Sequence, residues 1–107
     1  MSDWDHISAE ELLPNYKEWN IVDIRDGNAY DSGHIPGAVH LTNDNVNQFI
    51  TDSDFSTPLV VVCYVGNSSR GAASVLANAG FEEVYSLDGG MNFWQSAHPD
   101  DLAFSES

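Results

Sequence analysis

The single cysteine of the chain, Cys63, is followed by Tyr64-Val65-Gly66-Asn67-Ser68-Ser69-Arg70, an order of residue types that can hold a charged sulfur. Cys63 closes the apolar run Leu59-Val60-Val61-Val62. A short glycine-containing loop comes next, and a helix is expected to begin near Ser69. Loop amides and the unpaired N–H groups of a helix N-terminus converge on one spot, where the helix dipole adds to their pull on an anion. A thiol at the base of such a cradle titrates low, exists partly as thiolate at neutral pH and is a nucleophile. The same cradle can hold a charged group on the sulfur, such as a persulfide or a phosphate. Gly66 lets the loop turn tightly. Ser68 and Ser69 are candidates to cap the helix and to donate hydroxyl hydrogen bonds. Arg70 is the only positive charge near the site in sequence. An exposed thiolate of this kind is open to over-oxidation by peroxide. A cysteine after a β-branched strand also reads as a small buried apolar residue, and the residues alone leave both readings open.

The surrounding pattern must position that loop. Ser8-Ala9-Glu10-Glu11 has the form of a capping box opening a short helix that ends near Pro14. Ile21-Val22-Asp23-Ile24 is a short buried strand, Asp26 to Ser32 a short helix stopped by Gly33, and Ala38-Val39-His40 a further strand after the Pro36-Gly37 turn. Asn43 to Thr51 is helical, with Val46, Phe49 and Ile50 at helical spacing. Leu59 to Cys63 is apolar throughout, as in the middle of a parallel sheet covered on both sides. Ser69 to Ala79 is the clearest helix. Its apolar stripe is Ala72, Ala73, Val75, Leu76 and Ala79, and Gly80 ends it. Val84 to Leu87 is a strand, and after Gly89-Gly90 a last helix runs from about Met91 to Ala97. Strands alternating with helices predict an α/β fold with a mostly parallel sheet. Ligands in such folds bind beyond the carboxyl ends of the strands, where Cys63 lies.

The chain has 107 residues and suits a single domain spanning 1–107, with 98–107 expected as a loose C-terminal tail. Three basic residues, Lys17, Arg25 and Arg70, face 17 acidic ones, for a net charge of −14. Such a surface repels nucleic acid and anionic membranes, so neither is an expected partner. The N-terminus has neither the basic start nor the apolar run of a signal peptide, and the longest apolar run is too short to span a bilayer. The expected compartment is the cytoplasm, where a thiol stays reduced. His6, His34, His40 and His98 lack metal-ligand spacing, one cysteine cannot complete a thiolate site, and no phosphate or dinucleotide loop is present. No metal or cofactor is expected.

Three segments resemble the rhodanese family, most nearly its small bacterial single-domain members of the GlpE type. They are Ile21 to Asp26 running on through Tyr30 to Gly33-His34-Ile35-Pro36-Gly37-Ala38; Cys63 to Ala73; and Tyr85-Ser86-Leu87-Asp88-Gly89-Gly90-Met91 with Trp94. The similarity covers about residues 4 to 97. It implies a five-stranded, mostly parallel sheet with helices on both faces, and a thiosulfate:cyanide sulfurtransferase working through a Cys63 persulfide. By position, the loop Tyr64 to Ser68 supplies amides to the persulfide, the hydroxyls of Ser68 and Ser69 assist, and Arg70 steers an anionic donor. The implied partners are thiosulfate as donor and cyanide, a thiol or a thioredoxin-like protein as acceptor. One departure stands out: Val65 occupies a place where relatives often carry a polar residue or histidine, which removes a contact to thiosulfate.

Other landmarks read as structural. Asp23 and Arg25 end a strand; Arg25 either borders the site or forms a buried ion pair. His34 belongs to a tight connection, Gly89-Gly90 permits close packing, and Trp94 is core. Two other functions compete. Cysteine-dependent phosphatases and arsenate reductases carry an arginine one position nearer the cysteine, where Ser69 stands here, to grip a tetrahedral dianion. A rhodanese-like module that only binds a protein would dispense with Cys63 and its loop.

Overall fold

The computed structural model describes residues 4–104. Five strands, β1 (Asp5–Ile7), β2 (Asn20–Asp23), β3 (Val39–His40), β4 (Leu59–Val62) and β5 (Val84–Leu87), form one sheet in the order β1-β5-β4-β2-β3. Every paired strand is parallel to its neighbour. The five helices are α1 (Ala9–Leu12), α2 (Gly27–Ser32), α3 (Val46–Asp52), α4 (Ser68–Ala79) and α5 (Gly90–Ala97).

The central strand shows why the sheet needs cover on both faces. All four β4 residues are buried. Val60 and Val62 join a core with Leu12, Tyr16, Met91 and Trp94. Leu59 and Val61 join Ala73, Leu76, Phe81 and Val84, with Phe49 and Ile50 against them. Period-two alternation therefore divides one apolar strand between α1 and α5 on one face and α3 and α4 on the other. The expected α/β architecture, with helices on both faces, is what the chain adopts.

Several boundaries follow the predicted chemistry. The Ser8 hydroxyl accepts from the Glu11 amide and the Glu11 carboxylate accepts from the Ser8 amide, which starts α1. Asp26, expected as the first residue of the second helix, stands just before α2 as its cap, with its carboxylate accepting from the Ala29 amide. Differences have local causes. Strand β1 was not expected; it exists through its register with Tyr85, Ser86 and Leu87 of β5. Helix α3 begins at Val46 rather than Asn43, because the Asn45 side chain accepts from the Thr42 amide and donates to the His40 carbonyl, forming a turn. On α4, Val75 and Ala79 face solvent instead of joining the apolar stripe.

The tail expected to be loose is held over residues 98–104. Ala103 and His34 exchange two backbone hydrogen bonds, of 2.8 and 2.9 Å. Trp94 Nε1 donates to the Asp101 carbonyl at 2.9 Å, and the Tyr16 hydroxyl donates to the Asp101 carboxylate at 3.1 Å. Leu102 packs on the core. Residues 105–107 lie outside the described residues.

Candidate functional site

Cys63 leaves the carboxyl end of the central strand, and the next residues curl back over its side chain. The sulfur lies 3.2 Å from the Gly66 amide nitrogen, 3.3 Å from the Ser69 amide nitrogen and 3.2 Å from Ser69 Oγ. Gly66 makes the curl possible. Its φ of +95° suits glycine, and a Cβ there would stand 3.2 Å from the Gly89 nitrogen and the Leu87 oxygen.

The helix start differs from the sequence reading. Asn67 is the N-cap residue and makes no side-chain cap bond, while Ser68 is exposed. Neither Ser68 nor Ser69 caps α4 through its hydroxyl. The Ser69 amide, in the first turn of α4, instead turns to the sulfur, so Cys63 itself satisfies one of the helix's orphan donors. The Ser69 hydroxyl, fully buried, lies between the sulfur and Ser86 Oγ, which is 2.6 Å away.

These contacts set the acidity of the thiol. Burial works to raise it. Against burial stand the Ser69 hydroxyl, the Ser69 amide and the amides of Gly66 and Val65, all of which favour the thiolate. The donors win, and the thiol titrates below its ordinary value. One expectation changes: Cys63 is not an exposed thiolate but is 2% exposed, because the loop arches over it. A reagent must reach it end-on with a small reacting atom.

The backbone around the sulfur is clasped from two sides. The Cys63 carbonyl accepts from the Met91 amide at 2.9 Å and the Tyr64 carbonyl from the Asn92 amide at 3.0 Å, both from the first turn of α5. Arg70 Nε donates to the Gly66 carbonyl at 3.1 Å and so braces the loop. The Tyr64 hydroxyl donates to the Asp26 carboxylate at the start of α2. That bond holds Asp26 below the usual carboxylate range and Tyr64 above the usual phenol range.

Arg25 is a structural residue with one link to the site. Its guanidinium donates to both Asp23 carboxylate oxygens at 2.7–3.1 Å and to the Gly33 carbonyl at 2.7 Å, sealed from solvent. It meets the loop at the Tyr64 ring, whose centroid is 5.9 Å away. His34 is buried, stacks on Tyr30 and bonds its carbonyl through Nδ1. Val65 stands 52% exposed on the outside of the loop, and no cation flanks it in sequence. A cavity of about 710 Å³ lies beside the site, between Ile24, His40, Val46 and Val75, but Cys63 does not line it.

The structure thus brings together Cys63, Gly66 and Ser69, with the Val65 amide. Tyr64, Asn67 and Arg70 shape the loop without touching the sulfur. Ser86 was not singled out from the sequence; its signal is a small polar residue between Tyr85 and Leu87 on a strand whose Val84 and Leu87 are core. Among the described residues, no group of three or more His, Cys, Asp or Glu side chains is placed to hold a metal ion.

Known proteins share this arrangement of elements. The sequence model of the family described as "Rhodanese-like domain" matches residues 8–97. The chain is 49% identical to the thiosulfate sulfurtransferase GlpE of Shewanella oneidensis over 100 residues, covering 92% of this chain and 99% of that protein. It is 48% identical to the enzyme of the same name from Pseudomonas entomophila over 104 residues, covering 96% and 95% of the two chains. Among solved structures, a rhodanese-related protein of Thermoplasma volcanium superposes with a TM-score of 0.79 at 21% identity, covering 95% of this chain and all of that one. At that identity the likeness speaks for the fold.

Proposed function

Because the chain belongs to the rhodanese-like domain family, we propose that it is a thiosulfate sulfurtransferase in which Cys63 carries the sulfur. The observation that carries the site assignment is the convergence of two amides and a hydroxyl on one buried sulfur at 3.2–3.3 Å. Donors aimed at an anion before the reaction starts stabilise it without reorganising during the reaction.

In the first half-reaction the Cys63 thiolate attacks the outer sulfur of thiosulfate. A new S–S bond forms, the old one breaks, and sulfite departs with its electron pair. In the second, the acceptor attacks the outer sulfur of the Cys63 persulfide and Cys63 leaves as thiolate; with cyanide the product is thiocyanate. The amides of Val65, Gly66 and Ser69 and the Ser69 hydroxyl hold the charge on the sulfur between the two steps. The narrow approach suits a donor whose reacting atom is terminal and unbranched. Arg70 serves this reading by bracing the Gly66 carbonyl rather than by gripping substrate, and its engagement there disfavours a phosphatase. The acceptor in the cell is a small thiol or the thiol of a thioredoxin-like protein. We assign the work to the cytoplasm, where Cys63 stays reduced. Among the described residues, no helix is long and apolar enough to cross a membrane.

The test is intact mass after incubation with thiosulfate. The expected result is a gain of one sulfur atom, absent in Cys63→Ser and lost on adding cyanide. Wild-type protein that takes up no sulfur under these conditions would overturn the assignment.

A further inference from the structure

Ser86 lies on β5, outside the loop, with its hydroxyl 2.6 Å from that of Ser69. Both serines are fully buried, and Ser69 Oγ is in turn 3.2 Å from the sulfur. The three atoms form a closed row: sulfur, Ser69 oxygen, Ser86 oxygen. A neighbouring strand carries a hydroxyl there although Val84, Leu87 and the residues around them are apolar. A buried hydroxyl without a partner is costly, so its position is tied to Ser69.

We propose that Ser86 is a positioning residue for the nucleophile: it holds the Ser69 hydroxyl with its proton aimed at the charged sulfur. The inference deepens the sulfurtransferase reading and rests on it. Proton counting gives the reason. The row has two contacts. When the sulfur is a thiolate, Ser86 donates to Ser69, Ser69 donates to the sulfur, and two hydroxyl protons fill both contacts. When the sulfur is protonated, a third proton enters a row that still has two contacts, and one proton loses its place within the row. Donation from Ser86 also polarises the Ser69 hydroxyl and strengthens its bond to the anion, since hydrogen bonds in a chain reinforce one another. Without Ser86, Ser69 is free to turn its proton elsewhere.

Other charged and titratable groups stand on the loop and on the elements packed near it. They are Tyr64 on the loop, Arg70 on α4, Asp23 and Arg25 at the end of β2, Asp26 before α2, and Asp88 after β5, bonded to His6 of β1 at 2.7 Å. The first turn of α5 offers Met91, Asn92 and Phe93, none of them titratable. The variants below change none of these.

The test is the rate of Cys63 alkylation by iodoacetamide against pH, for wild type, Ser86→Ala, Ser69→Ala, the double variant and Ser86→Thr. Ser86→Ala should move the profile to higher pH and slow alkylation at neutral pH about threefold. In the Ser69→Ala background, Ser86→Ala should add nothing, since its effect passes through Ser69. Ser86→Thr, which keeps the hydroxyl, should return the profile toward wild type. A Ser86→Ala profile that superimposes on wild type would overturn the proposal. So would an equal further shift in the Ser69→Ala background, and this comparison stands whether or not the threonine variant folds. Alkylation needs no sulfur donor. Failure of the sulfurtransferase reading therefore shows in the mass experiment and leaves this result readable.

Discussion

A Cβ on Gly90 would stand 2.5 Å from the carbonyl oxygen of Cys63, so the residue that carries the sulfur and the first residue of α5 meet backbone to backbone. Gly90 also has a φ of +56°, and the next amide, Met91, bonds the same Cys63 carbonyl. Only a residue without a side chain lets α5 approach closely enough to make that bond.

Gly90→Ala should therefore lose roughly 3 kcal/mol of stability, the sum of left-handed strain and displacement of α5. Urea unfolding gives the number, and sulfur uptake should fall with it. A loss under about 1 kcal/mol would mean that the backbone absorbs the methyl and that the clasp is not tight.

Ser69→Ala removes the hydroxyl donor from the thiolate and should slow the thiosulfate half-reaction at neutral pH about tenfold, with its acid limb moved to higher pH. In the wild type the folded thiol titrates below the unfolded one, whose value is about 8.5. The thiolate then contributes stability that is full above the unfolded value and is lost as pH falls through the folded one. The stability of wild type relative to Cys63→Ser should accordingly grow as pH rises toward the unfolded value. A difference flat with pH contradicts the lowered thiol.

Asp23→Ala leaves the Arg25 guanidinium buried with only the Gly33 carbonyl, and should cost about 3–5 kcal/mol. Removing both charges with Asp23→Leu and Arg25→Met should cost less than the single change. If the double variant were the weaker of the two in urea, the pair would be a net stabiliser rather than a mutual requirement.

Thiosulfate is a dianion and the chain carries −14, while two of its three cations are engaged: Arg25 by Asp23, and Arg70 by a loop carbonyl. The value of kcat/KM for thiosulfate should rise with moderate salt, as screening relieves the repulsion. Val65→Lys puts a cation on the exposed side of the loop and should raise kcat/KM severalfold at low salt while flattening the salt dependence. A wild-type rate that falls with salt would show local attraction to dominate.

Much of this was legible in the chain. The all-apolar run Leu59 to Val62 read as a strand covered on both faces, and Ser8 with Glu11 announced the start of α1 by local chemistry. The loop after Cys63 was readable as an anion cradle from its glycine and the following helix, beside the plainer reading of Cys63 as a buried apolar residue. What escaped depended on distant neighbours. Asp5-His6-Ile7 has one apolar residue and becomes a strand only beside β5. The tail is fastened in part by backbone bonds to His34, which leave no residue signature, and in part by Trp94 and Tyr16, whose partner Asp101 is distant from Tyr16 in sequence. Ser69 looked like a cap because its partner, the sulfur, is six positions back and folded under it. Ser86 acquires its meaning only when β5 lies next to β4.

The site draws on the amide at 91 for the Cys63 carbonyl, the amide at 92 for the Tyr64 carbonyl and the hydroxyl at 86 for Ser69, all of which leave the ribosome after Cys63. A nascent chain ending before β5 lacks the Ser86 hydroxyl and the α5 amides that hold the loop, and its thiol should be less acidic and slower toward sulfane sulfur. Full reactivity should therefore arrive only once the last strand and helix have docked. Alkylation of chains truncated after Glu83, compared with full length, would show this delay as a thiol acidity closer to that of an ordinary cysteine.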